Sequence, residues 1–140
     1  MIERAAALAA TAVLVASCSQ APDNSMKEIG SARAGALDVV LLAPSETLPQ
    51  GKGFAILEFR ADSGALVNVG TVKVSATMPH PGAATMTGGS EVKPTPAPGR
   101  YEIATDFSMA GGWFFAIEWD GPRGRGSARL PIKIGTTGSP

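Results

Sequence analysis

Cysteine, histidine and tyrosine occur once each in this chain of 140 residues, as Cys18, His80 and Tyr101. A single cysteine excludes a disulfide framework and a cysteine-based metal site. A single histidine excludes a catalytic zinc centre of the His-rich kind. Neither sign of charge is in excess. Twelve acidic residues balance twelve basic ones, so the chain lacks the electrostatic footprint of a nucleic-acid binder. The Arg123-Gly124-Arg125-Gly126 cluster reads as a solvated hairpin turn. Long helical periodicity is missing after the first 17 residues.

What is present begins with an export signal. Met1 to Arg4 form a short charged region, and residues 5–16 form an apolar run too short to span a bilayer. The run ends in Val15-Ala16-Ser17-Cys18, which resembles a bacterial lipobox. In that motif the cysteine is lipidated and becomes the mature N-terminus. Thioether linkage to a lipid also removes an unpaired thiol that an oxidising compartment would attack. Ser19 follows the cysteine, which favours the outer membrane in a Gram-negative host. The expected location is therefore the cell envelope, lipid-anchored, on the periplasmic side.

Removing residues 1–17 leaves 123 residues, enough for one domain with one core. Residues 18–35 are small and polar and read as a flexible tether. The folded domain is then 36–134, and 135–140 form a Gly/Thr/Ser/Pro tail. Period-2 patterns dominate this domain, with candidate strands at 37–43, 53–60, 70–77, 100–107, 113–120 and 127–134. Trp113, Phe115, Ile117 and Trp119 alternate most clearly. Tyr101, Ile103, Thr105 and Phe107 follow the same rule, as do Val72, Val74, Ala76 and Met78. Short strands punctuated by Gly and Pro predict an all-β, immunoglobulin-like antiparallel β-sandwich of about seven strands without a disulfide. The weak segment 90–95 supplies the seventh strand. Its presence sets the parity that brings Met78, His80 and Met109 to one pole.

Those residues, with Met86, are the candidate metal ligands. Thioethers and one imidazole form a soft donor set that suits Cu(I) better than Mg or Ca. The alternative is packing: Met78 and Met109 continue inward registers and read equally well as adaptable caps on the core. His80, between Pro79 and Pro81, is held in extended backbone and off any ladder. Met86 lies in a loop-like stretch. Trp113 reads as a core aromatic, and Tyr101 as a corner tyrosine whose hydroxyl ties down nearby backbone. Catalysis is not expected. No thiol remains after processing, and Glu91, Glu102, Asp106, Glu118 and Asp120 fall at outward parity, as solvated faces do.

Three elements then carry a resemblance. They are Met78-Pro79 closing a strand, Pro98-Gly99-Arg100-Tyr101, and Phe107-Ser108-Met109-Ala110-Gly111-Gly112-Trp113. Together they resemble the YtkA-like domain, an exported sandwich family related to FixH, over roughly residues 37–134. The resemblance implies an immunoglobulin-like fold outside the cytoplasm and no enzymatic activity. It also implies a setting near copper handling, metal efflux or respiratory oxidase assembly. Relatives often carry a second methionine close behind the Met-Pro pair. Here His80-Pro81 takes that place, and the next methionine is Met86. Two expectations follow: a Cu(I)-binding domain, or a metal-free module docking on a membrane efflux or oxidase assembly complex.

Overall fold

The computed structural model describes residues 26–79 and 86–136. Nine strands follow in chain order: β1 (Lys27–Ala34), β2 (Leu37–Ala43), β3 (Leu48–Pro49), β4 (Gly51–Arg60), β5 (Thr71–Met78), β6 (Met86–Pro94), β7 (Arg100–Phe107), β8 (Gly111–Gly121) and β9 (Gly124–Gly135). No helix occurs among the described residues. The strands join in the order β1-β2-β4-β7-β6-β5-β8-β9-β3, a single sheet curled onto itself around one core. The run β2-β4-β7-β6 facing β5-β8-β9 is the ABED-against-CFG order of the immunoglobulin sandwich. Every ladder is antiparallel except the short parallel pairing of Leu48 and Pro49 with Ile134 and Gly135.

Alternation builds the core. Trp113, Phe115, Ile117 and Trp119 are all buried, the intervening Phe114 and Ala116 are half-buried, and Glu118 and Asp120 are exposed. Val39, Leu41, Ala55, Leu57, Phe59, Ile103 and Phe107 meet them from the other layer. Phe59 sits edge-on to both Tyr101 and Trp119, at centroid separations of 5.6 and 5.0 Å. Edge-to-face packing of this kind matches the positive rim of one ring to the negative face of another.

Strand β6 closes one side of the sandwich by changing partners. Met86 to Gly88 pair with β5, and Gly89 to Pro94 pair with β7. The switch falls at Gly88-Gly89, where the inward side of Gly88 lies against the Phe107 ring and leaves little room for a side chain.

Two findings correct the sequence-based boundaries. Residues 27–34, expected in the flexible tether, form β1 on the edge of β2. Their small side chains suit this position: Ala32 and Ala34 pack against the core, and a bulge between Glu28 and Gly30 turns Ile29 toward it. The second addition is β3, so the sandwich has nine strands instead of about seven. Residues 1–25, including Cys18, lie outside the described residues, as do His80 and residues 137–140.

Candidate functional site

One pole of the sandwich is formed where β5, β7 and β9 end and β4, β6 and β8 begin. The ladders make this assignment, since Met78 is opposite Met86, Gly51 is opposite Phe107, and Gly111 is opposite Ile134. Met78 and Met109 therefore lie at the same end of the sandwich. The seventh strand on which this parity depended is β6, longer than its expected span and beginning at Met86.

Met78 continues the inward register of β5 and is 8% exposed. Its methyl group rests on Gly111. A Cβ added at Gly111 would stand 2.9 Å from Met78 Cε, and Gly111 has φ +132°, a value that side-chain-bearing residues rarely adopt. Gly111 thus serves as the floor on which the thioether lies. Met109 departs from the inward register expected for it and is 41% exposed. The reason is local: β7 ends at Phe107, and the bend at Ser108-Met109 breaks the period-2 alternation.

The bend is fastened from two sides. Trp113 Nε1 donates to the Met109 carbonyl at 3.0 Å, and Gln50 Nε2 donates to the Ser108 carbonyl at 2.9 Å. Trp113 is itself fixed by burial and by Phe107, whose ring centroid lies 5.0 Å away. The backbone of Met109 is therefore held by the core while its side chain faces water. From the sequence Trp113 reads as a core aromatic, without this second role. Its four-residue spacing from Met109 was the available signal. Gln50 gave none, because its reach across the chain exists only after folding.

Met86 takes its place in the β5–β6 ladder opposite Met78, and His80 falls outside the described residues. Among the described residues no three His, Cys, Asp or Glu side chains gather in a metal-holding cluster. At the far pole, the Tyr101 hydroxyl donates to the Gly70 carbonyl at 2.6 Å, as expected of a corner tyrosine. Burial raises its phenol above the ordinary value near 10. A buried Glu58 pairs with Arg60 on the outer face of β4, an ion pair with no forerunner in the sequence reading.

This disulfide-free sandwich, with Met78, Met86 and a fastened Met109 turn at one pole, defines the class. The chain belongs to the YtkA-like family, whose family model matches residues 32–118. No curated protein and no solved structure matches it.

Proposed function

We propose that the protein is an extracytoplasmic lipoprotein, anchored through Cys18, whose YtkA-like domain binds Cu(I) at the methionine pole for copper handling or delivery. The observation that carries this reading is the ladder pairing of Met78 with Met86 beside the fastened Met109 turn. Thioethers suit Cu(I), and an exposed thioether on a tied-down backbone gives a donor that needs little ordering on binding. Met78, Met86 and Met109 would hold the ion, with His80 as the imidazole donor. The buried Met78 sulfur would have to turn outward over Gly111, a rotamer change that methionine tolerates. The domain acts by binding and transfer, without enzymatic chemistry.

A metal-free reading is favoured by a different observation. Phe54 and Met109 are both exposed toward this end of the domain, at 44% and 41%. Exposed apolar side chains at a sandwich end suit docking on a membrane efflux or oxidase assembly complex. Competition titration against a Cu(I) chelator separates the two. The Met78→Leu/Met109→Leu variant nearly conserves volume and should lose at least tenfold in Cu(I) affinity. Equal affinity in the variant, or none in the wild type, supports the docking reading. Mass spectrometry of the native protein should find an acylated Cys18 at the N-terminus, and a mature form starting elsewhere would refute the anchor.

A further inference from the structure

Charge on this molecule is balanced in number but not in space. On the layer containing β1, β2, β4, β7 and β6, each cation stands across from or beside an acid. Lys52 is opposite Asp106, Lys93 opposite Glu102, and Arg100 opposite Glu58. Arg33 bonds Asp38 and Asp62, Arg60 bonds Glu58, and Lys27 lies 3.8 Å from Glu46. On the other layer, Lys73 is opposite Glu118, and Arg125 bonds Asp120 at 3.0 Å.

Three described cations have no such acid: Arg123, Arg129 and Lys133, all on the β8–β9 hairpin. Arg129 is opposite Ala116, Lys133 is opposite Gly112, and Arg123 lies in the turn. All three are exposed. The acids left without a cation opposite them, Glu28 and Glu91, are on the other layer, facing Leu42 and Ala104. Cross-strand pairing therefore concentrates the unpaired positive charge on the hairpin.

Arg129 is also posed. Its guanidinium carbon sits 3.9 Å from the centroid of the Phe114 ring. Stacking on an aromatic fixes the plane of the guanidinium and leaves its edge donors for an oxyanion. Lys133 lies four residues further along the same face of β9, roughly 13 Å away at the usual rise of a strand. No single small anion spans that gap, whereas an extended anionic surface does.

We infer that the outer face of the β8–β9 hairpin docks on anionic phospholipid headgroups through Arg129 and Lys133, with Arg123 at the hairpin tip. The choice of a lipid surface rests on the anchoring reading above. β1 lies along β9, with Gly30 against the Pro131 carbonyl, so the chain enters the domain beside this face. A lipid on Cys18 would be tied to Lys27 by nine residues, a reach of at most about 30 Å. Docking lays the strands along the membrane plane and turns the methionine pole sideways, open to a membrane-embedded partner.

The test uses the protein expressed with its own N-terminal sequence and purified from the cell envelope, with vesicles of phosphatidylcholine alone, or of phosphatidylcholine with phosphatidylglycerol. Flotation with the zwitterionic vesicles reads the anchor. The rate of amine labelling at Lys133, relative to Lys52 on the opposite layer, reads the face. The inference expects that ratio to fall at least threefold on the anionic vesicles. It should recover in high salt, and it should not change with lipid in an Arg129→Gln variant. Flotation on both vesicles with an unchanged ratio overturns the docking and leaves the anchor standing. Flotation on the anionic vesicles alone, with the ratio lowered, supports the docking and sinks the anchor. Absence of flotation with either vesicle overturns both.

Discussion

Tyr101 is the only tyrosine in the chain, so its phenol can be titrated without interference. The hydroxyl is buried and donates to the Gly70 carbonyl, and burial would leave a phenolate charge out of water. The folded pKa is therefore raised above the unfolded value near 10. The stability it contributes is complete below pH about 10 and is lost as pH rises from there through the folded value. Spectrophotometric titration should find phenolate appearing at higher pH in the native protein than in denaturant. Coincident midpoints would mean that the corner is open. This residue was legible in the sequence, because a tyrosine heading a strand after Pro98-Gly99 has few other employments. The exposure of Met109 was not, because parity extrapolated past Phe107 knows nothing of the bend that follows.

Elements were read best where large side chains alternate. β7 and β8 carry their aromatic and branched residues on one face, and both fall close to their expected spans. β1 escaped because Gly30, Ser31, Ala32 and Ala34 give hardly any hydrophobic signal; its pairing with β2 makes it a strand. Gly88-Gly89 reads as a turn in the sequence, which shortens the expected β6, whereas here it carries a strand from one layer to the other. Glycine also controls β9. Gly126 is opposite Trp119, and a Cβ at that position would run into the indole ring. Gly126→Ala should therefore destabilise the domain by about 1–3 kcal/mol through overpacking, read as a lower midpoint in denaturant unfolding. An unchanged midpoint would show that Trp119 can move aside at little cost.

At the scale of the molecule, the two layers place three things together that lie far apart in sequence. The end of β5, the start of β6 and the β7–β8 turn meet at one pole, and the hydrogen bonds from Trp113 and Gln50 fix the turn between them. Strand count and parity made that meeting legible from the sequence. The fastening of the turn and the floor at Gly111 were not, since both arise from tertiary contacts. The proposed binding of Cu(I) by these thioethers is read by X-ray absorption at the copper edge of the Cu(I)-loaded full-length protein. At least two sulfur scatterers are expected around the copper, falling in number when Met78 and Met109 are replaced by leucine. A shell of nitrogen and oxygen alone, or a sulfur count unchanged in that variant, would contradict that binding.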